Sequence, residues 1–170
     1  MKITADYIIG ISIKILNEKG VKKLSIREIS KKLKIKSSSL YWHIKNKEEI
    51  YNKISEKIYN EIDINISEKN HRKYLYELYV RYRIELLKIR DSIEIIRRSD
   101  NMPAINKEFI ELTAGCIKNM GVKEKYCLML AAMMNNYVLS FVENEQKLNK
   151  KNEESFNYIL EVIIKGIQTS

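Results

Sequence analysis

The sequence predicts an all-α fold, and two observations support this fold class. The chain has one proline and five glycines in 170 residues, which leaves few positions that would break a helix. Apolar residues also recur at helical spacing, most regularly at Ile50, Ile54, Ile58 and Ile62, so that they share one face of a helix. The hydrophobic content of 45% is enough to build a core around such faces.

Four helices are expected in the N-terminal third, at about residues 5–19, 25–33, 37–43 and 47–63. Each has a residue type that ends or caps a helix at the right place. These residues are Gly20 as the stop of the first helix, Ser25 with Glu28 as a capping box for the second, Ser37 for the third, and Asn46 with Glu49 for the fourth.

Five further helices are expected after a polar segment at 64–70, at about residues 71–88, 92–98, 103–119, 123–147 and 153–168. Pro103 suits the first turn of the seventh helix, because its missing N–H has no helical partner there. The sequence Asn119-Met120-Gly121 ends that helix, and the polar stretch 149–152 separates the last two. The prediction is therefore about nine helices and no strands.

Residues 25–47, SIREISKKLKIKSSSLYWHIKNK, have the pattern of a helix-turn-helix with its turn at 34–36. Such a unit presents its second helix to the major groove of DNA. Positive charge is concentrated at the same end: residues 1–50 hold 12 Lys plus Arg against 5 Asp plus Glu, and the other 120 residues hold 19 against 17. This asymmetry is typical of phosphate binding. The alternative is a Lys-rich solvated surface.

The segment SIREISKKLKIKSSSLYWHIKNKEEI resembles the DNA-binding head of tetracycline-repressor-type (TetR) regulators over roughly residues 5–55, and LYWHIKNK at 40–47 is especially close to the tetracycline repressors. Weaker similarity occurs at 86–91 and 135–146. The resemblance implies a homodimer that binds palindromic operators and releases them when a small molecule binds. It also implies a DNA-binding domain at 1–46 and a ligand-binding and dimerisation domain at 47–170. Lys34 stands where the family usually has Gly, so either Lys34 adopts a positive φ or the turn differs.

The candidate DNA-contacting residues are hydroxyl, basic and aromatic side chains of this segment: Ser25, Arg27, Lys36, Ser37, Ser38, Ser39, Tyr41, Trp42, His43 and Lys47. The three serines can hydrogen-bond phosphates or base edges, and the aromatic rings suit backbone and thymine-methyl contacts. By resemblance, Arg27 reaches a guanine and Lys47 a phosphate. Alternatively, Arg27 is a surface charge and Tyr41 mainly packs. Leu40 and Ile44 are expected to point inward.

Apolar residues cover nearly the whole circumference of the predicted helix 123–147, so several of its sides must be buried. The family resemblance favours a dimer interface of four helices, two from each subunit. The alternative is a central core helix in a monomer. The candidate interface residues are Phe141, Phe156, Ile159 and Ile163.

Tyrosine and methionine side chains on the core helices suit a cavity for a flat or apolar ligand, although they suit an ordinary core or a dimer seam equally well. The candidate ligand contacts are Tyr79, Tyr82, Met102, Met133 and Tyr137. In tetracycline repressors the drug arrives as a magnesium chelate held by a histidine of the sixth helix, and the corresponding stretch 91–103 has no histidine. We therefore expect an apolar or aromatic effector and neither metal nor cofactor.

Other functional classes have no supporting pattern. The histidines (His43, His71) and cysteines (Cys116, Cys127) lack metal-ligand spacing, and no catalytic constellation is visible. The longest apolar run, 126–134, is too short to span a bilayer, and the N-terminus does not resemble a signal peptide, so a cytoplasmic protein is expected. The sequence thus predicts a ligand-responsive DNA-binding regulator, a repressor by resemblance. The alternative is a non-sensing dimeric or architectural DNA-binding protein whose core only dimerises.

Overall fold

Helices account for most of residues 3–168, the part of the chain that the computed structural model describes. Within that range there are ten α-helices and one short 3₁₀ helix, and the all-α prediction is confirmed. The outermost residues of the two predicted domains, 1–2 and 169–170, lie outside the range. The α-helices are α1 (Ala5–Lys19), α2 (Ile26–Leu33), α3 (Ser37–Leu40), α4 (Lys47–Asn60), α5 (His71–Leu87), α6 (Ser92–Arg98), α7 (Met102–Ile105), α8 (Lys107–Asn119), α9 (Glu124–Leu148) and α10 (Glu153–Gln168), and the 3₁₀ helix is Val21–Lys23.

The main difference from the predicted helices lies at 103–119, which forms two helices instead of one. Asn106 ends α7 and begins α8 with φ −94° and ψ 3°, a conformation outside the helical region that interrupts the hydrogen-bond ladder. The third helix is also shorter than predicted. It ends at Leu40, and the chain continues as a turn in which His43 N donates to Leu40 O at 2.9 Å.

The N-terminal helices α1, α2 and α3 pack around a small core that includes Ile15, Ile29, Leu40 and Ile44. The turn between α2 and α3 depends on Lys34, which has φ 57° and ψ 40°. This left-handed residue lets the next amide, Ile35 N, donate to Ser30 O at 3.1 Å, which is the hydrogen bond of a helix-ending Schellman motif. The turn therefore has the backbone that glycine usually adopts, with lysine in its place.

Helix α4 connects the N-terminal helices to the rest of the chain. It packs against α1 on one side and against α5, α6 and α7 on the other, and its isoleucines at 50, 54 and 58 are buried. Helix α5 runs through the core and packs on α8, α9 and α10, while α8 and α9 lie along each other. A displacement of α4 relative to the core would therefore be transmitted directly to the N-terminal helices.

Candidate nucleic-acid interface and core site

The segment after α3 exposes two large aromatic side chains beside a buried framework. Trp42 is 87% exposed and Tyr41 is 54% exposed, whereas Leu40 and Ile44 on either side of them are buried. The expectation that Leu40 and Ile44 point inward is thus confirmed. A tryptophan held in solvent by a well-packed turn gains little from the fold itself, so this position is typical of a binding surface.

The same surface is strongly basic. Residues 29–47 contain six lysines and no Asp or Glu. Glu28, at its edge, is paired with Lys19 at 2.7 Å, and that hydrogen bond lowers the pKa of the Glu28 carboxyl. The surface therefore attracts anions, and the Glu28 carboxylate at one of its edges is paired with a lysine outside it.

Most of the sequence-predicted DNA contacts are exposed on this surface, but two of them have a role within the fold. Ser25 accepts a hydrogen bond from Glu28 N at 3.2 Å as the cap of α2. Lys47 is partly buried, with its Nζ 5.4 Å from the centre of the Tyr51 ring. The exposed members are Arg27, Lys36, Ser37, Ser38, Ser39, Tyr41, Trp42 and His43. We call these eight residues the recognition surface.

A second concentration of functional groups lies in the core, where three tyrosines and a phenylalanine from α4, α5 and α8 pack together. The ring centres of Tyr59 and Tyr82 are 5.3 Å apart, and Phe109 lies 4.9 Å from Tyr82 and 5.4 Å from Tyr79. We call these four residues the aromatic cluster. Tilted packing of this kind stabilises aromatic rings beyond the burial of their area.

The hydroxyl groups of the aromatic cluster are satisfied inside the protein. The Tyr59 and Tyr82 oxygens are 2.5 Å apart, and Tyr59 Oη also donates to Asn135 Oδ1 at 3.3 Å. Tyr79 Oη donates to Thr113 Oγ1 at 3.3 Å. Burial raises the pKa of Tyr59 to about 12 and raises the pKa values of Tyr79 and Tyr82 as well. All three phenols are therefore protonated at neutral pH.

A surface cleft of about 420 Å³ leads to the aromatic cluster, because Tyr59 and Phe109 belong to both. One wall is residues 59–65, at the end of α4, and the other is formed by Ile105, Glu108, Phe109 and Leu112. The second wall contains the break between α7 and α8 at Asn106. We call this opening the core cleft.

The five predicted ligand contacts do not come together. Tyr79 and Tyr82 belong to the aromatic cluster and Met102 is partly buried in α7, but Tyr137 packs elsewhere and its hydroxyl donates to Phe156 O at 3.0 Å. Met133 is 48% exposed, because it lies on the side of α9 that faces away from the core. A ligand could therefore contact only some of these five residues at one place, and their role as ligand contacts stays a prediction.

The prediction missed Tyr59, Phe109, Asn135 and Thr113. The burial of Tyr59 could have been inferred, because Tyr59 directly follows Ile58, a buried residue of the isoleucine stripe of α4. Asn135 gave no signal, because it is followed by Asn136 and the sequence does not reveal which of the two asparagines faces the core.

Helices α9 and α10 expose several large apolar side chains. They are Tyr126, Leu128, Met129, Met133, Tyr158, Ile159 and Val162, and we call them the outer face. Of the predicted interface residues, Ile159 belongs to it, whereas Phe141 and Ile163 are partly buried against the core. Phe156 is fully buried and contacts the rings of Tyr137 and Phe141. Phe156 is thus a core residue of the single chain, which corrects its predicted position at an interface.

The junction between the N-terminal helices and the core is held by residues 88–91, which we call the junction loop. Asp91 Oδ2 accepts a hydrogen bond from Val21 N at 2.7 Å. Asn17 makes two more, donating to Lys88 O at 3.3 Å and accepting from Arg90 N at 2.8 Å. Asp91 itself has φ 58°, an unusual conformation for a residue other than glycine.

Gly20 allows the close approach at this junction. Its φ is 76°, and a Cβ atom at Gly20 would lie 3.0 Å from Asp91 Oδ2. On the other side of the loop, Gln146 Nε2 of α9 donates to Ile89 O at 3.0 Å and to Ser92 Oγ at 3.1 Å. The junction loop therefore joins α1, α6 and α9 through side-chain hydrogen bonds.

Comparison with known proteins agrees with this arrangement. The family profile described as bacterial regulatory proteins, tetR family, matches residues 8–54, which contain the whole recognition surface. The chain belongs to the tetR family. It is 26% identical to the tetracycline repressor protein class E of Escherichia coli over 153 residues, which are 88% of this chain and 72% of that protein.

Solved structures share the complete TetR-family fold. BioQ of Mycobacterium smegmatis superimposes with a TM-score of 0.89 at 21% identity, covering 99% of both chains. BioQ bound to its double-stranded DNA operator gives a TM-score of 0.85. ActR of Streptomyces coelicolor in complex with actinorhodin gives 0.85 at 18% identity, covering 99% of this chain and 98% of that one.

The chain is thus a TetR-family DNA-binding transcriptional regulator, and regulators of this family are DNA-binding proteins without enzymatic activity. Within residues 3–168, no helix is both long and apolar enough to cross a membrane. In the same range, no three His, Cys, Asp or Glu side chains form a group that could hold a metal ion.

Proposed function

We propose that the protein is a homodimeric repressor that binds an inverted-repeat operator through its recognition surface and releases it when a small molecule enters the core. The observation that carries the proposal is the exposure of Trp42 and Tyr41 among lysines. They lie on a helix-turn-helix whose inward residues Ile29, Leu40 and Ile44 are buried. Solvent-exposed aromatic and basic side chains on a rigid framework suit contacts with base edges and phosphates.

We assign Arg27 of the recognition surface to a base, and Lys47, beside that surface, to a phosphate. The guanidinium fork of Arg27 matches the two acceptors on the major-groove edge of guanine. Lys47 is held against the Tyr51 ring at the start of α4, which fixes its position at one end of the surface. The predicted domain boundary between residues 46 and 47 is consistent with this role, since Lys47 is the first residue of the connecting helix.

We assign dimerisation to the outer face of α9 and α10. Met129 is 72% exposed and Tyr158 is 71% exposed, and so large an apolar surface is unfavourable in water unless a partner covers it. Two copies of the outer face would form a four-helix interface. The two helix-turn-helix units of the dimer would then bind the two halves of an inverted repeat.

We assign the ligand response to the aromatic cluster, the core cleft and the junction loop. A ligand among the rings would displace α4 and α6, which pack against each other, and the junction loop would pass that displacement to α1. A ligand can only release DNA if it binds the released state more tightly than the DNA-bound state.

Selection of duplexes from a random library by the purified protein tests the DNA-binding part of this proposal. We expect an inverted repeat, with affinity that falls steeply as salt rises. Arg27→Ala should lose about 1–3 kcal/mol and relax the preference at one base position, whereas Lys47→Ala should weaken all sequences similarly. If Arg27→Ala bound the selected operator as tightly as the parent protein, its assignment to a base would be wrong.

Sedimentation tests the assembly. We expect a dimer at micromolar concentration for the parent protein and a folded monomer for Met129→Glu, because a buried unpaired charge at an interface costs several kcal/mol, about 3–5. Lys151→Glu, in the connection between α9 and α10, serves as the control, since Lys151 is exposed and lies outside the outer face. A monomeric parent protein would contradict the proposed dimer.

The second candidate function is a DNA-binding protein whose core dimerises without sensing a ligand. The observation that favours it is the close packing of the aromatic cluster, in which every ring has a neighbour within 5.4 Å. Release of the operator by any core-binding small molecule would exclude it.

A further inference from the structure

A second surface cleft, of about 780 Å³, lies between the junction loop and the C-terminal end of α9. We call it the junction cleft. It shares no residue with the recognition surface or with the core cleft. Its lining residues are Asn17, Leu87, Lys88, Arg90 and Asp91 on one wall, and Glu145, Gln146, Asn149, Lys150 and Lys151 on the other.

Positive charge predominates in the junction cleft. Four of the lining residues are Lys or Arg and two are carboxylates. Both carboxylates already have partners within the fold. Glu145 accepts hydrogen bonds of 2.9 and 2.6 Å from Arg83, and Asp91 Oδ2 accepts one of 2.7 Å from Val21 N. The cleft is therefore suited to an anion.

The four cations of the junction cleft are available to a ligand. Among residues 3–168, neither Lys150 nor Lys151 makes an ion pair. Arg90 Nε is as far as 4.0 Å from Asp91 Oδ2. Lys88 pairs with a carboxylate of its own helix end at 2.6 Å, but its side chain is exposed, and exposed pairs of this kind are weak. A multivalent anion can therefore compete for all four.

The backbone that carries these cations is fixed on both walls. On one wall, Asn17 donates to Lys88 O at 3.3 Å and accepts from Arg90 N at 2.8 Å. On the other, Glu145 O accepts from Lys150 N at 3.1 Å, and Glu145 Oε1 accepts from Asn152 N at 2.6 Å. Lys150 and Lys151 thus lie on a segment held at both ends by one buried residue. A ligand would have little backbone to order on binding.

The lining also indicates which kind of anion fits. Lys and Arg side chains only donate hydrogen bonds, so the ligand must offer acceptor oxygens. Because the cations stand on two walls, it needs at least two charged groups. Leu87 is the only apolar residue in the described lining, which has no aromatic ring, so charge and not stacking must hold the ligand. Phosphate groups carry about −1.5 to −2 charges each at neutral pH, more than a carboxylate does.

We propose that the junction cleft binds a small anion with two or more linked phosphate groups. Lys88 and Arg90 hold it on one wall, and Lys150 and Lys151 hold it on the other. The bound anion joins the junction loop to the connection between α9 and α10, at the place where the DNA-binding head is attached to the core. This site is additional to the operator surface and to the ligand response of the core proposed above.

Calorimetric titration of inorganic triphosphate into the full-length protein, without divalent cations, tests the class of ligand. We expect saturable binding with a Kd below about 0.1 mM. Orthophosphate cannot reach both walls, and citrate carries its charge on carboxylates, so each should bind about tenfold more weakly or worse. Absence of saturable triphosphate binding overturns the proposal, and so does equal or tighter binding of either of the other two anions.

Substitution of one cation on each wall tests the location. Arg90→Gln combined with Lys150→Gln keeps long polar side chains and removes two charges, so triphosphate should bind about tenfold more weakly. The control is Lys36→Gln combined with Lys45→Gln, which removes two exposed charges from the head and should leave triphosphate binding unchanged. If the cleft variant does not fold, Lys150→Gln alone should weaken binding about threefold. Unchanged affinity in a folded cleft variant, or an equal loss in the control, overturns the location.

Duplex DNA is the other source of linked phosphates, and the same two variants distinguish it from a small anion. Without triphosphate, the cleft variant should bind the selected operator as tightly as the parent protein, whereas the head variant should bind it more weakly. If the cleft variant lost operator affinity to the same extent as the head variant, the junction cleft would be part of the DNA-binding surface, and the assignment to a small anion would be overturned.

Discussion

The hydrogen bond between Asp91 and Val21 should make a measurable contribution to the joining of the head and the core. Replacing Asp91 with alanine removes the carboxylate that accepts from Val21 N at 2.7 Å. A hydrogen bond to a charged group stabilises by about 1.5–3 kcal/mol, and we take the lower end because the Asp91 side chain is 30% exposed. Alanine at φ 58° adds about 1 kcal/mol of backbone strain. The expected loss is about 2.5 kcal/mol.

Two further substitutions separate the effect of the lost hydrogen bond from the effect of the backbone strain. Asp91→Gly loses the acceptor but relieves the strain, so it should cost about 1–1.5 kcal/mol. Asp91→Asn keeps an acceptor oxygen and tolerates the left-handed conformation, so it should cost less than about 1 kcal/mol. Equilibrium urea unfolding at one fixed protein concentration measures all three, because a dimer's stability depends on concentration. If alanine cost no more than asparagine, the reasoning about this hydrogen bond would be refuted.

Three other predictions concern stability and use the same unfolding assay. Lys34→Gly should stabilise the protein by up to about 1 kcal/mol, since glycine adopts a φ of 57° without strain. An unchanged urea midpoint would show that Lys34 causes no backbone strain in the turn. Arg83 makes two hydrogen bonds of 2.9 and 2.6 Å to Glu145 in the core. Arg83→Met should therefore cost about 3–5 kcal/mol of stability, because it leaves the Glu145 charge unpaired, and adding Glu145→Leu should recover most of that loss. If the double variant were as unstable as Arg83→Met, the unpaired charge would not be the cause. Tyr59 has a pKa of about 12 in the folded protein against 10.0 ordinarily. Its contribution to the free energy of unfolding is therefore fully present below pH 10 and is lost as pH rises towards 12, because the unfolded chain ionises first. Tyr59→Phe should flatten this part of the profile of stability against pH, and an unaltered profile would assign it to other groups.

Much of the head could be predicted from the sequence because its signals are local. Ser25 with Glu28 and Asn46 with Glu49 cap helices through residues three positions apart, and both caps are present. The position of Lys34 after α2 predicts either a positive φ or a different turn, and the structure contains the positive φ. Inward packing of Leu40 followed from its spacing to other apolar residues.

The core could be predicted less well, because the burial of each side chain there depends on which helix faces pack against each other. The helix at 123–147 is apolar all round, so the sequence did not distinguish the buried Met134 from the exposed Met133. The wide apolar stripe of the last helix predicts Phe156 at an interface in the same way, although Phe156 packs inside the chain. The contacts of Tyr59 with Tyr82 and Asn135 join α4, α5 and α9 across the fold, and no local spacing encodes them.

Sequence discrimination by the parent protein tests the central claim most directly. The measurement is the ratio of its affinities for the selected inverted repeat and for a scrambled duplex of the same length and composition, at physiological salt. A regulator that reads bases through its recognition surface should prefer the repeat by about 10³-fold or more. A ratio near one would mean that the lysines of the head bind phosphates alone, and it would contradict the proposed function.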